Sequence, residues 1–251
     1  MSGTPRKLSQ SGFYHAVVKG NDGHILFEDN SDRARFKALM REVRDECELS
    51  YHAYCLMSNH VHMLIEDPKR RLSDAMALLS RGYTEHYRNR YEHEGTLYSG
   101  RFWSEPIEND AYLLCAARYI HQNPQVAGIC FASQYVWSSV QEYLKNTPLL
   151  CRTDLLMGMF GSIEEFVRFH KMQLSGLAFP GSRLRGHLTD DEALVIAHAA
   201  LGADKLKDLP GMKPETRANL LCTLLDRGIT AGQVARMTGL SVSTVRRARR
   251  R

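Results

Sequence analysis

The residues of this chain best suited to chemistry are two histidines two positions apart, His60 and His62, and a tyrosine and an asparagine four positions apart, Tyr119 and Asn123. On a β-strand alternate side chains share a face, so His60 and His62 project together while Val61 enters the opposite layer. On a helix, residues four apart share a face, which brings the Tyr119 phenol next to the Asn123 amide. Two imidazole nitrogens and an amide oxygen make a donor set suited to Mg²⁺ or Mn²⁺, with water and phosphate oxygens in the remaining positions. Such an ion would act as a Lewis acid on a phosphoryl oxygen while the phenol attacks phosphorus. Each residue also has a plainer reading. Histidines beside a sheet often only satisfy hydrogen bonds, and a tyrosine on an apolar helix face is an efficient core filler. Asn123 precedes Pro124, which disfavours helical backbone at Asn123 and could turn its amide off the helix end. No residue announces itself as the base that removes the phenolic proton.

The elements that must position these groups are legible in the patterning. Phe13 to Lys19 is rich in β-formers and runs into the turn-type cluster Gly20-Asn21-Asp22-Gly23. Phe36, Leu39, Met40 and Val43 recur at helical spacing, predicting an amphipathic helix from Ser31 to Glu46 with Asn30 or Ser31 as its N-cap. Leu49 to Met57 and His60 to Glu66 read as two strands joined by the Ser58-Asn59 turn. A second helix is predicted from Ser73 to about Arg90 through Met76, Leu79, Tyr83 and Tyr87, then loop and a short strand between Gly95 and Asn109. A third helix runs from Asp110 to about Gln122, with Pro124 expected to stop it. The order β-α-β-β-α-β followed by a helix predicts an α+β fold. It is a ferredoxin-like, RRM-like antiparallel sheet with helices packed on one face.

Composition narrows the class. The 251 residues are 43% hydrophobic and 24% charged, ordinary for a globular protein. No apolar run approaches the roughly eighteen residues of a membrane span, and the N-terminus leads into no apolar signal core, so a cytoplasmic, nucleoid-associated protein without a membrane partner is expected. Six cysteines without a Cys-x-x-Cys pair suit reduced thiols rather than a zinc framework. The net charge of +5 equals the contribution of Arg246, Arg247, Arg249, Arg250 and Arg251. These follow a stretch with helix-turn-helix layout, Thr230 to Arg246, in which Ala235 permits close packing, Gly239 takes the turn, Val234, Leu240 and Val245 form the joint core, and Ser241 caps the second helix. Ser243, Thr244, Arg246 and Arg247 would then face duplex DNA. Alternatively the basic helix restrains the rest of the chain. Domains are expected over residues 1–148 (catalytic), 149–186 (two short helices and a Gly/Ser-containing linker over 175–186) and 187–251 (all-α, helix-turn-helix).

Five blocks in order carry a resemblance: Tyr14 to Asn21, Tyr54 to Glu66, Gly100 to Ser104, Arg118 to Pro124, and Trp137-Ser138-Ser139. Over roughly residues 11–145 the chain resembles the single-tyrosine HUH transposases of small insertion sequences, most closely their REP-associated tyrosine transposase branch. The resemblance implies a nuclease and strand transferase on single-stranded DNA that folds into hairpins. It makes His60 and His62 the metal-binding pair, Asn123 the third, helix-borne ligand, and Tyr119 the nucleophile that forms a 5′-phosphotyrosine and releases a 3′-hydroxyl. Ser58 stands where the family often has proline, and Gln125 where valine is more usual; neither removes a catalytic group. The family includes monomers and dimers with shared active sites, and either arrangement is compatible with one chain supplying all four residues.

A DNA-facing surface is expected from Lys69, Arg70, Arg71, Arg81, Arg88, Arg90 and Arg101, with Tyr98, Phe102 and Trp103 available for base stacking. Two other readings compete: a hairpin-binding regulator that keeps the fold but does not cut, and a zinc hydrolase using His60 and His62 in which Tyr119 is dispensable.

Overall fold

The structure, a computed structural model, describes residues 6–172, 190–227 and 229–248. The linker expected at 175–186 and Arg249, Arg250 and Arg251 lie outside the described residues. By its internal contacts the chain forms two compact units, one of Met1–Glu108 with Ala116–Leu155 and one of Asn109–Cys115 with Leu156–Arg251.

The first unit is built on a four-stranded sheet of β1 (Phe13–Lys19), β2 (Ser50–Leu56), β3 (His60–Glu66) and β4 (Trp103–Ile107) in the order β2-β3-β1-β4. Every pairing is antiparallel. Two β-α-β units are thus interleaved, each split by a strand of the other, as the element order predicts. Helix α1 (Asn30–Cys47) and helix α2 (Leu72–Tyr91) are the two crossovers. The N-cap of α1 is Asp29 rather than Asn30 or Ser31. Its carboxylate accepts from Ser31 and Asp32 N–H, and Asp32 returns the bond as a capping box. A carboxylate at the cap satisfies two otherwise orphaned N–H groups and favours the positive end of the helix.

Alternation along the strands sorts the residues into two layers. Tyr14, Ala16 and Val18 of β1 and Val61, Met63 and Ile65 of β3 are buried with Phe36, Leu39, Met40 and Val43 of α1 and Met76, Leu79 and Tyr83 of α2. His15, His60 and His62 therefore face the other way. That second face is covered by the C-terminal part of α3 (Asp110–Val126), whose Tyr119 ring lies 5.4 Å from the His62 ring. The expectation of helices on one face holds for α1 and α2 and is corrected for α3, because a third amphipathic helix can bury its stripe only on the layer the first two leave open.

Pro124 does not stop α3, which continues to Val126. The proline lies in the last turn, where the forfeited N–H costs one bond to a carbonyl near the helix end. Asn123 keeps its carbonyl in the ladder, accepting from Ala127 N–H at 3.0 Å. Helix α4 (Val140–Leu144) then carries Glu142, whose buried carboxylate accepts from Leu149, Leu150 and Cys151 N–H at 2.8–3.0 Å and from the Tyr54 hydroxyl at 2.8 Å.

The second unit contains most of α5 (Asp154–Phe160), then α6 (Ile163–Lys171), α7 (Asp190–Leu201), α8 (Ala203–Asp208), α9 (Pro214–Asp226), α10 (Ala231–Thr238) and α11 (Val242–Ala248). Helices α5 and α6 match the two short helices expected after residue 149. Thr230 and Gln233 form a capping box at α10, Gly239 takes the left-handed turn at φ 73°, and the Ser241 hydroxyl accepts from Thr244 N–H at 3.2 Å. Val234 and Val245 are fully buried between the two helices. No described helix is long and apolar enough to cross a membrane.

Candidate active site

The site is organised by the turn between β2 and β3. Gly20 N–H donates to Asn59 O at 2.8 Å, and Leu26 and Phe27 N–H both donate to Ser58 O. A Cβ on residue 20 would lie 2.0 Å from His24 O, so this close approach requires glycine. The Asn59 side chain is thereby held over the strand end: its Nδ2 donates to Gly23 O at 3.4 Å and its Oδ1 meets His60 Nδ1 at 2.7 Å. Amide oxygens face both ring nitrogens, and the shorter contact, at Nδ1, favours the tautomer that carries its proton there and presents Nε2 as a lone pair.

That lone pair faces Asn123 Oδ1 at 3.2 Å. Two acceptors opposed at this distance repel unless a proton or a cation lies between them. His62 follows on the same face, its ring 5.0 Å from that of His60, with Nδ1 engaged by His15 Nε2 at 3.0 Å. This leaves Nε2 as the nitrogen His62 can offer a metal. Two imidazole nitrogens and an amide oxygen form a donor set of intermediate softness for a divalent ion, with open positions for water or phosphate oxygens. Among the described residues no group of three or more His, Cys, Asp or Glu is placed to hold a metal.

Tyr119 closes the arrangement. Its ring stands edge-on to those of His62 and His15, at 5.4 and 5.9 Å. It is 2% exposed, and Asn123 4%. Burial pushes the phenol up to about 12, opposed by a hydrogen bond from the Asn123 side chain that favours the phenolate. One amide thus touches both the nucleophile candidate and a metal-ligand candidate. Burial also holds the imidazoles neutral: His15 falls to about 3, His62 lies well below its ordinary value, and His60 is lowered by burial, with the Asn123 bond opposing and Lys19 adding to the shift. Neutral imidazole is the form that binds a metal.

The expected DNA-facing residues separate into groups. Trp103, on β4, is partly exposed, and its ring stands 5.4 Å from His15. Beside it Arg101 is exposed and the Arg6 guanidinium stacks on Phe102 at 3.5 Å. Lys69, Arg70 and Arg71 are not brought to the site. They follow β3 at its far end, and the six steps from His60 to Glu66 already span roughly 20 Å. Lys69 pairs with Glu48, and Arg71 is the N-cap residue of α2. Arg90 pairs with Asp29 and buried Asp32, and Arg88 donates to Gly95 O, so both are committed to structure. Tyr98 has a buried hydroxyl and packs against the core. In the second unit Ser243, Arg246 and Arg247 are exposed on α11, and Thr244 is partly exposed. Sequence reasoning assigned no role to His15 and Asn59. A histidine on a strand two residues out of register with His62 was the available signal, once β1 and β3 are known to pair.

Comparison with known proteins follows the same geometry. A REP-associated tyrosine transposase solved bound to a REP hairpin is similar over 61% of this chain and 90% of its own, with 16% identity and a TM-score of 0.52. A candidate transposase from Deinococcus radiodurans R1 is similar over 58% of this chain and 98% of its own, with 15% identity and a TM-score of 0.34. No curated protein sequence matches the chain. Residues 9–123, which hold His15, His60, His62, Tyr119 and Asn123, match the family described as Transposase IS200 like. The likeness to that family thus lies over the stretch that carries the candidate site.

Proposed function

We propose that this protein is a metal-dependent endonuclease and strand transferase for single-stranded DNA that folds into hairpins, of the REP-associated tyrosine transposase type. The observation that carries the reading is the Asn123 amide, bonded to Tyr119 on one side and facing His60 Nε2 on the other. Residues 1–148 would form the catalytic domain, as a monomer or homodimer. Residues 187–251 would form a helix-turn-helix module reached through the 149–186 connector.

His60 Nε2, His62 Nε2 and Asn123 Oδ1 would hold Mg²⁺ or Mn²⁺, which when bound supplies Lewis acidity to a phosphate oxygen. Tyr119 Oη attacks phosphorus, the bond from phosphorus to the 3′-oxygen breaks, and a 3′-hydroxyl and a 5′-phosphotyrosine result. Asn123 steadies the phenolate and keeps the phenol aimed. Reversal by the 3′-hydroxyl of a second strand restores the tyrosine and joins DNA. Arg101 and Trp103 would meet the strand at the sheet edge, and Ser243, Thr244, Arg246 and Arg247 would contact duplex DNA.

Incubation with a REP-like hairpin oligonucleotide and Mg²⁺ tests the reading. A covalent protein–DNA adduct in wild type that is absent in Tyr119→Phe supports it; an adduct that survives Tyr119→Phe overturns it. The depth of Tyr119 favours one rival, a regulator that binds the hairpin without cutting. That rival predicts a tight complex with uncut DNA in the same assay.

A further inference from the structure

His15 is the one member of the aromatic cluster without a place in the chemistry above, and its position is specific. It lies on β1 opposite Leu64 of β3, diagonal to His62, which pairs with Val17. Its Nε2 meets His62 Nδ1 at 3.0 Å. It is wholly buried, its ring 5.4 Å from that of Trp103 and 5.9 Å from that of Tyr119. Its own Nδ1 is buried with no hydrogen-bond partner.

Only one nitrogen of each ring can carry the shared proton. If His15 donates, the second proton of the pair falls on His62 Nε2 and that nitrogen cannot bind a metal. If His62 donates from Nδ1, its Nε2 is a lone pair, and the His15 proton sits on the unpartnered Nδ1. Either arrangement puts one imidazole N–H into the buried layer, and only the second leaves His62 able to ligate a metal through Nε2. The 3.0 Å contact to a candidate ligand is what separates His15 from a residue that only packs.

We propose that His15 is a positioning residue: it accepts the Nδ1 proton of His62, fixing the tautomer and ring plane in which His62 presents Nε2 to a divalent cation. Asn59 does the same for His60 through its Oδ1. The two candidate ligands are thus each oriented through Nδ1, one by a neutral imidazole from the adjacent strand and one by the amide before it. Outer partners of this kind typically alter metal affinity 10- to 100-fold. The proposal rests on the metal reading for its purpose, but the tautomer it assigns exists independently of any metal.

The experiment uses the full-length protein with ¹⁵N-labelled histidine. Long-range ¹H–¹⁵N spectra of the metal-free wild type are expected to show His62 protonated at Nδ1. In His15→Phe the Nδ1 form should give way to the Nε2–H form that free imidazoles prefer, with the melting temperature unchanged or raised. Calorimetric titration with Mn²⁺ alone should show affinity reduced 10- to 100-fold in His15→Phe, with part of it regained in His15→Gln, whose carbonyl can accept the same proton. A wild-type His62 protonated at Nε2, or a His62 tautomer that is the same in His15→Phe as in wild type, overturns the proposal. Mn²⁺ binding that is unaffected by His60→Ala and His62→Ala would instead sink the metal reading and leave the tautomer assignment to stand or fall on the spectra.

Discussion

Replacing Asn59 with alanine isolates the orientation of His60 from the ligand itself. The substitution removes the 2.7 Å bond to His60 Nδ1 and the 3.4 Å bond to Gly23 O, and leaves Nε2 and Asn123 in place. A neutral hydrogen bond of this kind contributes about 0.5–1.5 kcal/mol. Asn59 is only half-buried, so water replaces part of it, and about 1 kcal/mol is the reasonable value. At 1.4 kcal/mol per factor of ten, that corresponds to roughly a fivefold loss, within bounds of about two- and twelvefold. The loss falls on the population of His60 with a bare Nε2, so it should appear in the metal dependence. Cleavage of a hairpin oligonucleotide, followed while Mg²⁺ is varied, should show a midpoint shifted upward about fivefold and a maximal rate within twofold of wild type. A variant with an unchanged midpoint, or a rate defect that persists at saturating Mg²⁺, would refute the assignment of Asn59 to the tautomer of His60.

Other consequences follow from the same coordinates. The folded-state values of His15 and His62 lie far below the unfolded value near 6.5, so the unfolded chain binds more protons in acid and stability is lost as pH falls below 6.5. At pH 5 His15 alone should cost about 2 kcal/mol, and urea titrations of metal-free protein should show that His15→Phe flattens the acid limb. In Glu142→Ala, Leu150 and Cys151 N–H and the Tyr54 hydroxyl lose their shared acceptor. At about 1–3 kcal/mol for each of the three buried groups the loss is about 3–9 kcal/mol, comparable to a typical folding free energy. Glu142→Gln keeps an acceptor and should melt much closer to wild type; equal melting temperatures for Glu142→Ala and wild type would contradict this. Arg246→Ala with Arg247→Ala should weaken duplex DNA binding and reduce the slope of log K against log salt by about two, measured by fluorescence anisotropy, while hairpin cleavage is retained.

Much of the first unit was legible because its signals are local. The three- and four-residue spacing of Phe36, Leu39, Met40 and Val43 yields α1, and the period of two in His60-Val61-His62 yields a strand with both imidazoles on one face. The cap of α1 was misplaced by one or two residues because Asp29, Asn30 and Ser31 are all competent caps, and only the reciprocal bond with Asp32 distinguishes them. Pro124 read as a stop because its lost N–H is costly inside a helix, but in the last turn that penalty is small. The basic residues were the least legible. Arg90 is consumed by Asp29 and Asp32 from 58 or more positions away, and Lys69 to Arg71 are carried off by the length of β3. His15 shows the limit most clearly, because its bond to His62 depends on which strands pair and in what register, a property of the sheet rather than of any window of sequence.

The central claim is that one divalent ion and the Tyr119 phenol address a common phosphate. A crystal of Tyr119→Phe grown with Mn²⁺ and an uncut hairpin oligonucleotide, measured at the manganese absorption edge, tests it directly. The account predicts one anomalous peak within bonding distance of His60 Nε2, His62 Nε2 and Asn123 Oδ1, with a DNA phosphate between that peak and the ring of residue 119. A peak elsewhere, or a phosphate backbone that passes the sheet without approaching residue 119, would contradict it.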